Sequence, residues 1–337
     1  MSLFKLGSGY KMSNAQYSPS VVIPVDDDRL NLINILKALE KQSFKNLEII
    51  IVESGDFDKT KIVVERFKKK LNISLYRQKG RGLTEARNEA FYRAKGNIVV
   101  FVDADVKPTS KWLKELVASF EADSKVGGVG GPSLMPKTIM NRRDLTEYLV
   151  SQRALSITKR IIRNIFFKIF LEGDPYSINK FFKSGAYSVG SMIPEIIERL
   201  PSPVKVDFLD ASNMAFKANL MKEIGGFDTG FKGLGEYSEP DVCFKIKSKG
   251  YSLVFNAKAV VYHYPSYAQT HSSKSHAYNR GRNFSRFLKR YFIHRLTVEA
   301  FVYALFFNFY HAYKALKDRD PTWFYCVKGF IVGLEGR

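Results

Sequence analysis

The segment Asn97–Lys107, with the sequence NIVVFVDADVK, constrains the fold of this chain more than any other. Its residues Ile98–Val102 are all apolar or aromatic, and the run stops at Asp103-Ala104-Asp105. A continuous apolar run of this length is typical of a strand buried on both faces, as in a parallel sheet. The sequence therefore predicts a buried strand that carries two carboxylates at its carboxyl end.

Two carboxylates one residue apart are costly to hold near a core unless a positive charge lies between them. Mg²⁺ and Mn²⁺ favour one or two carboxylates together with phosphate oxygens. Asp103 and Asp105 thus suggest a metal-assisted site for a substrate that carries a diphosphate. A solvated Asp-x-Asp turn that only ends the strand stays open as the alternative, because matches this short are common by chance.

The composition is that of a globular protein with a strong positive charge. The chain has 337 residues, of which 45% are hydrophobic, so it can bury a large core. Its 53 Lys and Arg against 33 Asp and Glu give a formal charge of +20. This charge favours an anionic partner, which can be nucleic acid, acidic lipid or a phosphorylated ligand.

The cysteines and the N-terminus bear on the compartment. Cys243 and Cys326 are far apart and form neither a metal-ligand pair nor a disulfide framework, so a reducing compartment fits best. The first twenty residues lack the apolar core of a signal peptide. We expect residues 1–18 to be a flexible leader.

Strand and helix patterns alternate through the first half of the chain. Strands are predicted at Ser20–Val25, Leu47–Val52, Ile73–Arg77 and Ile98–Val102, and helices at Arg29–Gln42, Lys59–Lys70 and Leu83–Ala94. In the first helix, Leu30, Ile33, Leu36 and Leu39 have the spacing of a buried face. This alternation predicts an α/β fold with a Rossmann-like, mainly parallel sheet flanked by helices.

Ligands of such sheets bind beyond the carboxyl ends of the strands. Pro24–Asp28, Glu53–Asp56 and Asp103–Asp105 all lie at such ends. We therefore expect three acidic clusters to converge on one edge of the sheet. This convergence is harder to explain by solvated turns than any one cluster is.

The second half is less regular. Val126–Pro136 is glycine-rich, and we interpret it as a strand and turn rather than a phosphate cradle. Asp207–Lys217 has a strand pattern, and Gly235–Lys249 opens with three acids and continues as a helix. Tyr251–Val261 reads as two short strands, after which His263 follows.

Two segments combine apolar residues with few or no acids. Arg153–Phe170 carries five cations and no acid, and Leu296–Tyr310 is rich in Phe and Tyr. Each segment fits either a helix at a membrane surface or a helix that covers the core. No segment reaches eighteen uncharged apolar residues, so no membrane-spanning helix is predicted.

Several motifs in this order resemble those of family 2 glycosyltransferases, which have the nucleotide-sugar-binding fold called GT-A. The resemblance runs from about Pro19 to about His263. It rests on five elements: Ser20–Pro24, Val52–Gly55 with Glu53 where the family usually has Asp, Gly82–Asn88, Phe101–Asp105, and Gly225–Asp228 followed by Glu236–Asp241. Each element alone is weak, whereas all five in the right order make a specific pattern.

The resemblance implies a donor site for a nucleoside-diphosphate sugar, with UDP or GDP as the expected nucleotide. Pro24, Val25 and Glu53 would line the nucleoside pocket, and Glu53 would accept from the base or ribose. Asp103 and Ala104 would lie against the donor, with Asp103 at the ribose or at a water on the metal. The remaining contacts are to the Mn²⁺ or Mg²⁺ ion and the diphosphate: Asp105 as the direct metal ligand, His263 as the third protein contact, Arg87 near the pyrophosphate or the Asp pair, and Arg280 or Arg282 closing over the diphosphate.

The resemblance also implies an acceptor side. Inverting transfer needs a base that deprotonates the acceptor hydroxyl. Glu239 matches the position of this base, with Glu236 as the rival. Asp241 matches an acid that braces the helix start, and Asp210 and Asn213 would lie on the acceptor side.

The C-terminal region is basic and aromatic. Between His271 and Arg295 it carries seven cations and no acid: Lys274, Arg280, Arg282, Arg286, Lys289, Arg290 and Arg295. Processive members of the family have Gln-x-x-Arg-Trp in this region and this chain does not, which implies transfer of a single sugar. The basic stretches favour a lipid-linked glycan or polyprenyl phosphate as acceptor, and a peripheral location on the anionic inner face of the cell membrane.

We therefore expect a GT-A domain at 19–265 and a helical basic and aromatic region at 266–337. The domain would comprise a nucleotide-sugar half, 19–135, and an acceptor half, 136–265. A nucleotidyltransferase, which releases pyrophosphate, is one alternative. A basic nucleic-acid-binding protein is another, but it leaves Asp103, Asp105 and Glu239 without a role, so no nucleic-acid partner is expected.

Overall fold

A computed structural model describes residues 17–135, 157–264, 273–293 and 297–335. Most of the expected leader lies outside the described residues, as do residues 136–156, which open the expected acceptor half. His271 and Arg295, the limits of the basic C-terminal stretch, also lie outside them. Both cysteines are described, and each is a buried free thiol.

An eight-stranded sheet and a three-stranded sheet form the framework of the described residues. The strands are β1 (Pro19–Val25), β2 (Glu48–Glu53), β3 (Ile73–Arg77), β4 (Ile98–Phe101), β5 (Val106–Pro108), β6 (Val126–Gly130), β7 (Ser133–Leu134), β8 (Val204–Val206), β9 (Met214–Lys217), β10 (Ser252–Phe255) and β11 (Val261–His263). The large sheet has the order β3-β2-β1-β4-β9-β6-β10-β8, and the small one β5-β11-β7.

The first four strands of the large sheet run parallel, as the βαβ pattern predicts. β9 pairs antiparallel with both β4 and β6, so the sheet is mixed but mainly parallel. The predicted α/β class with a Rossmann-like sheet is confirmed.

Helices cover both faces of the large sheet and form the C-terminal region. They are α1 (Arg29–Glu40), α2 (Phe57–Phe67), α3 (Leu83–Phe91), α4 (Trp112–Ala122), α5 (Ile157–Phe170), α6 (Pro194–Ile197), α7 (Ala218–Glu223), α8 (Ser238–Ser248), α9 (Lys274–Tyr291), α10 (Val298–Lys317) and α11 (Thr322–Leu334). None of the described helices is long and apolar enough to cross a membrane.

The core lies on both sides of β1 and β4. In β4, Ile98 and Val100 belong to the cluster under α1 and α4, whereas Val99 and Phe101 belong to the cluster under α3 and α8. All four side chains are fully buried. The continuous apolar run therefore forms a strand that is buried on both faces, as the sequence predicts.

The predicted face of α1 is wrong by part of a turn. Leu32 and Ile35 are buried together with Leu36 and Leu39, whereas Leu30 is 78% exposed. Two apolar stripes overlap in this helix, and Asp28 begins the helix by accepting from the Asn31 N–H. Leu32, Ile35, Leu36 and Leu39 have the i, i+3, i+4, i+7 spacing of one helix face, whereas a strict three-residue repeat from Leu30 drifts around the helix.

The predicted strand Asp207–Lys217 is shorter than expected, because only Met214–Lys217 pairs in the sheet. The preceding residues form a turn in which Asp210 accepts from the Ser212 N–H and its carbonyl accepts from the Asn213 N–H. Asp and Ser side chains favour such turns over strands. The sequence patterns also missed helix α4.

The small sheet brings distant residues to the end of β4. β5 follows the Asp pair directly and pairs antiparallel with β11. In this register Val106 lies opposite His263. A residue more than 150 positions away in the chain is thereby held beside Asp105.

The C-terminal helices α9 and α11 pack closely through glycines. A Cβ added at Gly281 would lie 1.9 Å from the carbonyl oxygen of Cys326, and one at Gly329 would lie 1.9 Å from that of Tyr278. Both contacts are with backbone atoms, which cannot move aside as a flexible side chain can. The absence of a side chain therefore permits this helix pair.

We predict that Gly329→Ala lowers the melting temperature. On helix propensity alone, this exchange would stabilise the protein by up to about 1 kcal/mol. The contact with the Tyr278 carbonyl has the opposite sign, because the added methyl group forces α11 away from α9. Thermal unfolding followed by circular dichroism shows whether helix propensity or the steric contact has the larger effect. An unchanged or raised melting temperature would contradict the close packing of α9 and α11.

Candidate active site

Two carboxylates and one imidazole converge where β4, β5 and β11 meet. Asp103 and Asp105 lie in the turn between β4 and β5, and His263 ends β11. One ligand atom from each residue lies within 4.8 Å of the others. Nε2 of His263 is 3.3 Å from Oδ1 of Asp105. The sheet register therefore produces the cluster that the sequence predicted at this edge.

The chemistry of this cluster fits a divalent cation. Burial disfavours the imidazolium form of His263, but the neighbouring carboxylates of Asp105, Asp103 and Asp210 outweigh burial and raise the pKa of His263. The local field is thus strongly negative and attracts a proton or a metal ion. Carboxylate oxygens with one imidazole nitrogen suit Mn²⁺ or Mg²⁺.

A buried arginine joins this cluster to an acid from the second half of the chain. Arg87 on α3 donates from Nη1 to Oε1 of Glu239 on α8, and from Nη2 to Oδ1 of Asp103 at 3.1 Å. Arg87 is 0% exposed and its guanidinium lies over the Phe227 ring. Arg87 was expected near the pyrophosphate or the Asp pair, and the second of these contacts is present.

Burial changes the protonation of both acids. Burial raises the pKa of Glu239, and the positive charge of Arg87 opposes this change without cancelling it. Burial also raises the pKa of Asp103, again against Arg87, and the nearby Asp105 adds to the rise. A carboxyl group with a raised pKa in a buried site can take up a proton during a reaction.

Glu53 does not have the role that the sequence predicts. Its side chain is fully buried, and Oε1 accepts from the N–H groups of Asp27 and Gly55 at 3.0 and 2.7 Å. Oε2 accepts from the Thr60 hydroxyl at 2.6 Å. Because the side chain is fully buried and both oxygens have partners, Glu53 shapes the loops after β1 and β2 rather than facing a base or ribose.

The other predicted nucleoside contacts differ in exposure. Pro24 is partly exposed at the end of β1, whereas Val25 is buried in the core. Ala104 is also packed against the core cluster. Their contacts with a nucleotide remain predictions.

Asn213 is a structural residue rather than an acceptor contact. Its Nδ2 donates to the carbonyls of Pro132 and Ala259 at 3.1 and 2.8 Å, and its Oδ1 accepts from Nε1 of Trp112 at 2.8 Å. The side chain is fully buried. Asp210, by contrast, is exposed, and its role on the acceptor side remains a prediction.

Helix α9 contacts the loop and helix start that carry Glu239. We call Asp228–Asp241 the acidic segment. The contacts are those of Arg280 Nε with Glu236 Oε1 (3.0 Å), Arg282 Nη1 with the Gly230 carbonyl (2.8 Å), Asn283 with the N–H and carbonyl of Lys232 (3.0 and 2.9 Å), and Arg286 Nη2 with Asp228 Oδ2 (2.9 Å). α9 therefore supports the acidic segment along its length.

Arg290 connects the two ends of the acidic segment. Its Nη2 donates to Asp228 at 2.7 Å, and its Nη1 donates to the fully buried Asp241. The Tyr291 hydroxyl donates to Asp241 at 2.7 Å. These contacts connect the first turn of α8 to α9, and the role of Asp241 as the acid that braces the helix start remains a prediction from the family resemblance.

The basic C-terminal stretch differs from the surface that the sequence suggested. The guanidinium groups of Arg280, Arg282, Arg286 and Arg290 contact the acidic segment, and Lys289 donates to the Leu334 carbonyl. Asp228, to which the sequence analysis gave no individual role, belongs to this network together with Arg286. These cations are engaged within the chain, so they do not form the expected surface for an anionic lipid.

Comparison with known proteins identifies the family. The model of the family described as Glycosyl transferase family 2 matches residues 20–186, which include β1, the Asp pair and Arg87. This match confirms the predicted resemblance to glycosyltransferase family 2 over residues 20–186.

The matched relatives are longer than the shared region. The chain is 30% identical over 112 residues to the glycosyltransferase GlyA of Streptococcus pneumoniae, which covers 32% of this chain and 16% of GlyA. It is 31% identical over 103 residues to the poly(ribitol-phosphate) beta-N-acetylglucosaminyltransferase TarS of Staphylococcus aureus, covering 29% of this chain and 18% of TarS. The chain thus spans less than a fifth of either relative in these matches.

Solved structures support the GT-A fold. Residues 1–349 of S. aureus TarS in complex with UDP-GlcNAc match with a TM-score of 0.54 at 17% identity, covering 94% of this chain and 81% of that one. The mannosyltransferase PcManGT of Pyrobaculum calidifontis, in complex with GDP-Man and Mn²⁺, matches with a TM-score of 0.52 at 18% identity, covering 81% of this chain and 64% of that one.

We predict that Arg290→Ala destabilises the protein by up to about 3 kcal/mol. The exchange removes the guanidinium partner of the buried Asp241 carboxylate and leaves it with Lys245 and the Tyr291 hydroxyl, and weakening the pairing of a buried charge is costly. Lys249→Ala is the matched control, since its pair with Glu223 is exposed and contributes less than about 1 kcal/mol. Urea unfolding measures both, and equal effects would contradict the bracing role of Arg290.

Proposed function

We propose that this protein is an inverting, metal-dependent glycosyltransferase that moves a single sugar from a UDP- or GDP-sugar to a hydroxyl acceptor. The observation that carries the proposal is the Arg87 bridge. This bridge connects Asp103, in the candidate metal cluster, to Glu239, the candidate base. Transfer requires the donor and acceptor groups to be held at a fixed separation, and the buried Arg87, which contacts both acids, supports such an arrangement.

Asp105 and His263 are the proposed protein ligands of Mn²⁺ or Mg²⁺, with Asp103 beside them. When bound, such a cation neutralises the departing nucleoside diphosphate as a Lewis acid. The raised pKa of His263 supports the assignment, because it reflects an excess of negative charge at the site. The donor complexes of TarS with UDP-GlcNAc and of PcManGT with GDP-Man and Mn²⁺ agree with this donor class.

Glu239 is the proposed base. The contact with Arg87 engages Oε1, and we assign Oε2 to the proton of the acceptor hydroxyl. As this proton leaves, the hydroxyl oxygen attacks the anomeric carbon from the side opposite the diphosphate, the bond to the diphosphate breaks, and the configuration inverts. Burial raises the pKa of Glu239, and the positive charge of Arg87 opposes this rise.

Glu236 is the weaker candidate for this role. Its Oε1 contacts Arg280 at 3.0 Å and lies 3.5 Å from Nε2 of His276, so it belongs to the network of α9. Neither contact leads to the metal cluster. Glu239, by contrast, is two hydrogen bonds from Asp103 through a single guanidinium.

A lipid-linked glycan or polyprenyl phosphate is the proposed acceptor, with the protein peripheral to the inner face of the cell membrane. Exposed apolar side chains on α5 and α10 support a membrane location. The alternative of a nucleotidyltransferase predicts pyrophosphate as the product. Measuring whether nucleoside diphosphate or pyrophosphate is released separates the two reactions.

We predict that Mn²⁺ with the cognate nucleoside diphosphate raises the melting temperature, and that Asp105→Asn abolishes the Mn²⁺-dependent part. A ligand at about 100 times its Kd stabilises the native state by about 2.7 kcal/mol. Asp58→Asn, an exposed acid on α2, is the control and should keep the full shift. A thermal-shift screen of UDP and GDP with and without Mn²⁺ also identifies the donor class.

The outcomes of this screen separate the possibilities. A shift that needs Mn²⁺ and one particular diphosphate supports the donor site. If Asp105→Asn retains that shift, Asp105 is not the metal ligand. If no nucleotide shifts the wild-type protein with Mn²⁺, the proposed donor site is wrong.

We predict that Glu239→Gln keeps donor binding and lowers donor turnover, including hydrolysis with water as acceptor, by about 10²-fold or more. The pKa of Glu239 lies above its ordinary value of 4.5, and the base must be deprotonated. Activity should therefore fall as the pH drops through a value above 4.5, and this acidic limb should vanish in the variant.

Glu236→Gln is the matched comparison for this experiment. Nucleoside diphosphate release as a function of pH is measured for both variants. If Glu239→Gln turns over at nearly the normal rate and Glu236→Gln does not, the base is Glu236. The same acidic limb in Glu239→Gln as in the wild type would also exclude Glu239.

A further inference from the structure

Helix α5 exposes a stripe of isoleucines. On its inner side, Phe166 and Phe170 are buried. On its outer side, isoleucines recur every four residues and are 48–70% exposed: Ile157, Ile161, Ile165 and Ile169. This spacing places them along one side of the helix. Large exposed apolar side chains in a continuous row mark interaction surfaces more often than scattered ones do.

Helix α10 exposes a second stripe. Ala300, Ala304 and Ala315 are buried on its inner side. The outer side carries large apolar residues that are 40–73% exposed and spaced by three or four positions: Val298, Val302, Leu305, Phe309, Tyr313 and Leu316. At 1.5 Å per residue the stripe is about 27 Å long. Its length and continuity exclude the scattered exposure that is normal for a protein surface.

The two helices are direct neighbours. Phe166 of α5 lies 5.3 Å from Phe306 of α10, and Phe170 lies 5.1 Å from Tyr303, measured between ring centroids. These contacts fix the helices side by side. We call the two exposed stripes together the apolar face.

The charge of α5 indicates what covers this face. Ile157–Phe170 contains no acid, and Arg160 and Lys168 are exposed among the isoleucines. A second copy seated with α5 against α5 would bring like charges together, which costs binding energy. An anionic bilayer complements these cations, while its headgroup and acyl boundary takes up the apolar side chains.

We propose that α5 and α10 dock this protein on an anionic lipid bilayer, with the apolar face in the headgroup boundary. This inference deepens the proposed function and rests on it for the lipid-linked acceptor. The docking itself requires no turnover. It also corrects the location of the membrane contact, since the arginines of α9 face the acidic segment. α10 packs on α9 through Phe307 and Phe284, whose ring centroids are 4.4 Å apart.

The test is co-sedimentation of the full chain with vesicles of phosphatidylcholine, alone or mixed with phosphatidylglycerol. We expect binding to the mixed vesicles that weakens with salt. Leu305→Gln combined with Phe309→Gln should weaken binding by at least about tenfold, because two apolar side chains no longer leave water. Arg160→Gln and Lys168→Gln should each weaken binding by about fivefold, and only with the anionic lipid.

Matched controls lie on α1 and in the region of α2, far from α5 and α10 in the chain. Leu30→Gln combined with Ile62→Gln removes two equally exposed apolar residues from α1 and α2. Lys61→Gln and Lys69→Gln remove two exposed cations from the region of α2. Both controls should bind as the wild type does. Because all the exchanged side chains are exposed, we expect each variant to fold, which circular dichroism checks.

Three results would overturn the proposal. The first is that the wild type fails to bind mixed vesicles. The second is that the α10 double variant binds as well as the controls. The third is that light scattering finds a dimer, which Leu305→Gln combined with Phe309→Gln converts to a monomer. The last result would assign the apolar face to a second copy. Vesicle binding without donor turnover would contradict the proposed function and leave the docking intact, so the two failures are distinguishable.

Discussion

The candidate site depends on one buried double ion pair, in which the guanidinium of Arg87 lies between Asp103 and Glu239. Taking three charged groups out of water is costly unless each finds a partner in good geometry. Arg87 meets this condition by donating from a different nitrogen to each acid. Because α3 carries Arg87 and α8 carries Glu239, the bridge connects two helices whose residues are 152 positions apart in the chain.

The sequence predicted those parts of the site that depend on local pattern. The apolar run before Asp103 requires a doubly buried strand, and alternating strands and helices require its carboxyl end to meet those of β1 and β2. Glu53 and Asn213 were misjudged for a different reason. Both are polar residues near strand ends. Their side chains are engaged by backbone groups that are distant in the chain, namely the Asp27 N–H for Glu53 and the Ala259 carbonyl for Asn213.

The basic C-terminal stretch illustrates how a charge pattern can mislead when it is considered alone. Its cations suggested an external anionic partner, yet the partner lies within the chain, in the acidic segment. A signal was present, because Asp228, Glu236 and Asp241 have acidic side chains spaced along one segment, as Arg280, Arg286 and Arg290 are along one helix. Complementary charge patterns in two segments could have predicted the contact, although not its register.

The helices proposed for the bilayer are mechanically connected to the proposed base. α10 packs on α9 by aromatic contacts, α9 holds the acidic segment by its arginines and Asn283, and the acidic segment contains Glu239, which Arg87 links to Asp103. An acceptor carried on a lipid would therefore approach a base whose support rests on the docking helices. A transferase for a freely soluble acceptor would gain nothing from the apolar face, whose exposure to water is unfavourable.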